Sequence, residues 1–159
     1  MTDFRTPASP PHRNAAQDRL DALVALYSQG RIEDALALAG ELIGLHPSCE
    51  ITHNIAGALT VAAGRPDDAL ALYDRAIAIA PDYVEAWNNH GNALKALDRL
   101  DEALASYDAA IDLLPDYAEA HLNRAIVLRM TKRLAEALAA NGEAIRCNPQ
   151  LAQAYTKLH

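Results

Sequence analysis

Six histidines, two cysteines and several adjacent carboxylates are the residues of this chain whose types could do chemistry. A metal site needs ligands at short, fixed spacing, and no His-x3-His, Cys-x2-Cys or glutamate-rich cluster is present. His53 and His121 are too far apart to share an ion. His90 follows Trp87 by one helical turn and reads as a packing group between helices. The pairs Asp67-Asp68 and Asp101-Glu102 have the look of acid–base partners. Each opens an apolar-periodic stretch, however, where negative charge complements a helix start. There is no glycine-rich phosphate cradle and no strand–nucleophile–helix elbow. The sequence thus predicts a non-enzymatic protein with no catalytic residues, no metal and no cofactor.

The elements that carry these residues repeat. Pro47, Pro81, Pro115 and Pro149 are spaced by 34 residues, and the same shift aligns Arg31, Arg65, Arg99 and Arg133. It also aligns Ile43, Ile77, Ile111 and Ile145, together with four Ala-Leu-Ala triplets. A period of this length marks a stacked-repeat architecture. Within each copy two apolar patterns of helical period flank a short break such as Gln29-Gly30-Arg31, and the proline ends the second. The copies run 16–49, 50–83, 84–117 and 118–151. Residues 1–15 carry Pro7, Pro10 and Pro11 and read as a flexible tail. Pro66 falls at a first helical position, where its missing N–H costs nothing. Asp82 with Glu85, and Asp116 with Glu119, have capping-box spacing. Eight helices are expected, and residues 152–159 begin a ninth, with Tyr155 where Trp87 stands. That restart is read as part of a longer array.

Residues 84–117 give the pattern its clearest form: Trp87, Gly91, Leu94, Ala103, Tyr107, Ala110 and Pro115. This copy resembles the tetratricopeptide repeat. The copy before it keeps Ala56, Gly57, Ala69, Tyr73, Ala76 and Pro81. The fourth keeps Ala125, Leu128, Ala137, Ala144 and Pro149, with Asn141 in place of the aromatic. The first departs most, with Leu23 for the glycine and Ala39 for the aromatic. The resemblance implies an all-α fold, a right-handed superhelix of antiparallel helix pairs. It also implies that the first helix of each pair lines a concave groove, where a partner peptide or helix binds. Tyr73, Tyr83, Tyr107 and Tyr117 recur with the period and read as packing groups.

Projected into that groove are Asn54, then Glu85, Asn88, Asn89, Asn92 and Lys95, then Glu119, Asn123 and Arg129, with Ile51, Ile55, Ala58, Leu122 and Ile126 between them. Asparagine donates and accepts, so a row of it can hold an extended peptide backbone without reading side chains. Asn89 and Asn123 stand where the asparagine ladder lies in O-linked N-acetylglucosamine transferase arrays. Ile55 and Asp21 interrupt it, leaving two rungs. The carboxylate clamp of chaperone-binding members is incomplete: Asn92, Asn123 and Lys157 match in kind, but Asn88 and Gln153 replace two lysines. On this reading, removing Asn89 and Asn123 weakens partner capture and leaves stability unchanged.

At 159 residues, 51% hydrophobic and 5% aromatic, the chain has the size of one domain whose core is filled largely by alanine, which suits closely stacked helices. A net charge of −7 argues against general nucleic-acid binding, which needs a basic surface. No apolar run is long enough to span a membrane, and the N-terminus lacks a secretory signal. Cys49 and Cys147 lie three repeats apart and are expected as free thiols in the cytoplasm. Charge is uneven: residues 14–119 hold 18 acidic and 6 basic groups, whereas residues 120–159 hold 2 acidic and 6 basic. The leading expectation is a protein–protein interaction module. The alternatives are the repeat region of a longer glycosyltransferase or methyltransferase, and a scaffold that self-associates through its C-terminal helix.

Overall fold

The computed structural model describes residues 15–151. They form eight α-helices: α1 (Ala15–Ser28), α2 (Ile32–Leu45), α3 (Glu50–Ala62), α4 (Pro66–Ile79), α5 (Val84–Ala96), α6 (Leu100–Leu113), α7 (Ala118–Met130) and α8 (Leu134–Cys147). Residues 149–151 open a further helical stretch. The rest of the expected ninth helix, and most of the expected N-terminal tail, lie outside the described residues.

Each helix packs on the one before and the one after it. The first helices also touch across pairs, α1 with α3, α3 with α5 and α5 with α7, while the second helices make no such approach to one another. A stack whose odd-numbered helices meet and whose even-numbered helices spread is curved, with the odd-numbered helices on the inside. The architecture is the all-α superhelix of antiparallel pairs expected from the period.

The turn inside each pair uses one device four times. Gly30, Gly64, Asp98 and Lys132 have positive φ, at 71°, 79°, 59° and 60°. The next residue, an arginine in every copy, donates its N–H back to Leu26, Thr60, Leu94 or Leu128. This six-to-one closure satisfies carbonyls that the helix end leaves open. The arginine side chain then turns forward, and Arg31, Arg99 and Arg133 bond Asp34, Glu102 and Glu136 in the first turn of the following helix. These pairs are exposed and so add little stability; they explain why the arginines recur.

The capping boxes do not form. The N-caps of α5 and α7 are Tyr83 and Tyr117, neither with a side-chain cap. Asp82 and Asp116 therefore lie one residue too early, and Asp116 pairs with Arg146 at 3.1 Å instead. Pro66 is the first residue of α4, as its chemistry requires.

Packing within a pair depends on a glycine against a tyrosine. A Cβ on Gly57 would stand 2.5 Å from Cε1 of Tyr73, and one on Gly91 would stand 2.6 Å from Cε1 of Tyr107. Both rings are buried. The same two positions hold Leu23 with Ala39 in the first pair and Ala125 with Asn141 in the last. The first exchange conserves volume, with Leu23 and Ala39 both fully enclosed. The last does not, and a cavity of about 320 Å³ opens beside Ala125 and Asn141.

Candidate functional site: the inner face of the stack

The asparagines of the inner face join the repeats. Asn89 Nδ2 donates to Asn54 Oδ1 at 3.1 Å, and Asn123 Nδ2 donates to Asn88 Oδ1 at 3.0 Å. Asn54 in turn donates to the Tyr83 hydroxyl at 3.1 Å, and Asn92 accepts from the Tyr107 hydroxyl at 2.9 Å. The ladder thus runs on two columns rather than one: a position in one pair bonds to the neighbouring position of the next, 35 residues on. The expectation that Asn54 and Asn88 face open groove is corrected, because they are only 7% and 3% exposed. The cause is helical geometry. Successive residues are rotated by about 100°, so Asn88 turns toward the following pair while Asn89 turns toward the preceding one.

Half of the ladder's bonding capacity remains. Among the described residues, Oδ1 of Asn89 and of Asn123 has no partner, nor has Nδ2 of Asn88 or of Asn92. Around these amides lie exposed Glu85 and Glu119 near the helix starts, and half-buried Lys95 with exposed Arg129 near the helix ends. Lys95 and Arg129 have no carboxylate partner among the described residues, whereas Arg99, Arg124, Arg133 and Arg146 are all paired. Desolvation holds the Lys95 ammonium below its usual pKa. The face is therefore polar amide in the middle, acidic along one edge and basic along the other.

The sequence did not single out the tyrosine hydroxyls, which Tyr83 and Tyr117 place on the acidic edge. Tyr83 accepts from Asn54, and Tyr117 donates to Glu119 at 3.2 Å. Burial raises both phenols above their usual range, so they remain protonated. Their 34-residue recurrence was visible, but read as packing alone.

The histidines have structural partners. His53 Nδ1 lies 2.9 Å from the Cys49 carbonyl and His121 Nε2 lies 2.8 Å from the Pro115 carbonyl, in the column where Trp87 Nε1 donates to the Pro81 carbonyl. His90 sits between pairs, with Nδ1 2.9 Å from Ser106 Oγ and Nε2 3.4 Å from Asp74. Serine, histidine and aspartate in contact resemble a hydrolytic triad. Ser106 is buried, however, and its hydroxyl is bound to the Glu102 carbonyl, so no substrate reaches it. Among the described residues no group of histidine, cysteine and carboxylate side chains could hold a metal ion, and no helix is long and apolar enough to cross a membrane. Both cysteines are free.

Stacked helix pairs with a polar inner face and exposed second helices define a helical-repeat scaffold. The family profile for the tetratricopeptide repeat matches residues 20–84 and 88–152, and the chain belongs to that family. No curated protein matches it. Solved structures are similar over most of their length. The crystal structure of MamA superposes with a TM-score of 0.78 at 18% identity, covering 88% of this chain and 82% of that one. YrrB, described as a TPR protein with an unusual peptide-binding site, gives 0.75 at 23% identity, covering 90% and 75%. The first TPR of Spaghetti (RPAP3), bound to the HSP90 peptide SRMEEVD, gives 0.71 at 19% identity, covering 74% and 93%. Repeats of this family are generally interaction modules rather than catalysts.

Proposed function

We propose that the chain is a non-catalytic interaction module that holds an extended partner segment against α3, α5 and α7. The observation that carries this reading is the unused half of the ladder. Acceptors on Asn89 and Asn123 and donors on Asn88 and Asn92 stand along one face, the complement of a peptide backbone that offers both kinds of group. Glu85 and Glu119 on one edge, and Lys95 and Arg129 on the other, orient the segment by its charges. Asn54 supports the row by anchoring Asn89. Binding of peptides by YrrB and by the RPAP3 repeat fits such a use of the same fold. The free thiols suit a reducing, cytoplasmic setting.

The test is selection of peptides from a random displayed library, followed by affinity measurement on the purified chain. Lys95→Glu with Arg129→Glu reverses one edge without touching the core, and is expected to weaken selected peptides about tenfold or more. Selection of no peptide at all, or of peptides indifferent to that double change, refutes the groove reading.

A further inference from the structure

The outer face of α8 is the one second-helix face among the described residues that no following pair covers. Leu70 of α4 and Leu104 of α6 are 9% and 7% exposed, since α5 and α7 lie over them. Leu138, at the same place in α8, is 74% exposed. Leu134 and Ile145 on the same stripe are exposed as well, and so is Met130 at the end of α7. Together with Leu122, Ile126 and Arg129 of α7, the stripe walls the cavity of about 320 Å³ left by Asn141. A patch of several adjoining exposed leucines marks an interaction surface.

We infer that this face is covered by the same face of a second copy of the chain, α8 against α8 about a two-fold axis. Two observations select that occupant. The first is the spacing of the stripe. Leu134, Leu138, Asn141 and Ile145 follow one another by four, three and four residues, the alternation of a coiled-coil seam. That order reads the same in both directions. Antiparallel α8 helices therefore bring Leu134 level with Ile145 and Leu138 level with Asn141 of the other copy, twice, which is the self-complementarity a two-fold interface requires. A polar Asn141 within an otherwise apolar seam fixes its register.

The second observation concerns the opposite end of the stack. His90 of α5 reaches Asp74 of α4, so the residues on its side of α5, Ala86 and Ala93, face the preceding pair, and both are fully buried. The same positions in α1 are Asp18 and Ala25, with Asp21 close by, all exposed. Docking α1 of another copy onto α8 would push the Asp18 carboxylate into the place of a buried alanine, where desolvation is costly. Head-to-tail growth is thereby opposed, and the apolar end is left to pair with itself.

Light scattering or sedimentation of the full chain from about 1 to about 200 µM tests this. A reversible shift toward twice the chain mass is expected. Leu138→Glu should weaken it at least about hundredfold, because each substitution counts twice in a two-fold dimer. Leu138 is exposed in the single chain, so the variant should keep its helical spectrum and denaturation midpoint. The rims of the two copies bring Arg129 and Lys132 together, so added salt should tighten the dimer. A chain that stays monomeric throughout the range overturns the inference, whatever else covers α8. So does a dimer indifferent to Leu138→Glu, or one that salt dissociates. Peptides selected on the inner face should bind Leu138→Glu unchanged, so failure here leaves the groove reading standing.

Discussion

Replacing Asn89 and Asn123 by alanine separates the two roles an inner-face asparagine can have. If they served only a partner, the double variant would fold as well as the parent. The structure argues otherwise. Each change deletes one amide–amide bond between repeats, of 3.1 Å or 3.0 Å. Each also leaves the carbonyl of a buried residue, Asn54 or Asn88, without its donor. A typical bond contributes about 0.5–1.5 kcal/mol, and a stranded buried acceptor costs about 1–3 kcal/mol. The methyl group that replaces each amide leaves room for water on the groove side, which places each single change near the low end, about 1–2 kcal/mol. The two bonds lie in different inter-repeat interfaces, so their losses should add to about 2–4 kcal/mol. Urea denaturation followed by far-UV circular dichroism measures this directly. Lys95→Ala serves as control, since an exposed or half-exposed unpaired group should change stability by no more than about 0.5 kcal/mol. An unchanged midpoint for the double variant would show that the diagonal bonds carry no stability, and the account of the ladder given above would be wrong.

Other perturbations follow from single contacts. Gly91→Ala sets a Cβ against the Tyr107 ring at 2.6 Å, and that ring is enclosed and tied to Asn92 by its hydroxyl. Overpacking of about 1–3 kcal/mol should outweigh the roughly 1 kcal/mol that alanine gains in a helix, and a rise in the denaturation midpoint would contradict the close contact. Lys132→Gly removes a side chain from a residue at φ 60°. The relief of about 1–2 kcal/mol exceeds the chain-entropy cost of about 0.5–1 kcal/mol, so a small gain in stability is expected, and a loss would mean that Lys132 makes a contact worth keeping. His90 has its pKa lowered by burial, with Arg99 adding to the effect and Asp74 and Glu102 opposing it. Above the ordinary value of 6.5 both folded and unfolded chains hold it neutral; as pH falls below that value the unfolded chain takes up the proton first, so stability drops. His90→Gln should flatten that part of the pH profile, and an equally steep profile would remove His90 from the explanation.

The period made the fold legible, because a proline, an arginine and an isoleucine returning every 34 residues constrain the helices directly. The pairing of the asparagines was not legible from the same alignment. Sliding by 34 residues puts Asn54 over Asn88 and Asn89 over Asn123, and suggests two separate columns. The bonds run at 35, from one column to the other, since a first helix faces both neighbours with adjacent residues. A search at the repeat length alone cannot find contacts made between repeats. The capping boxes failed for a related reason: aspartate and glutamate three apart fit the motif, yet the turn after each proline delays the helix by one residue.

The departures from the repeat say most about use. Where Leu23 and Ala39 replace glycine and tyrosine, bulk moves from one helix to its partner and the space stays filled. Where Ala125 and Asn141 replace them, bulk is lost and a cavity appears, in the one pair whose outer face is also apolar and exposed. At the other end, the positions that hold buried alanines elsewhere hold Asp18 and Ala25, with Asp21 nearby. A stack built only to close itself would place polar residues at both ends, since an apolar end costs solubility. This one has a polar end and an apolar end, and the apolar end carries a stripe that matches itself under a two-fold rotation. The inner face, with its half-used amides, is meanwhile continuous across α3, α5 and α7. Pairing through α8 would double the number of such faces without covering either, so a partner with two copies of its segment would bind with an effective concentration set by the dimer rather than by solution.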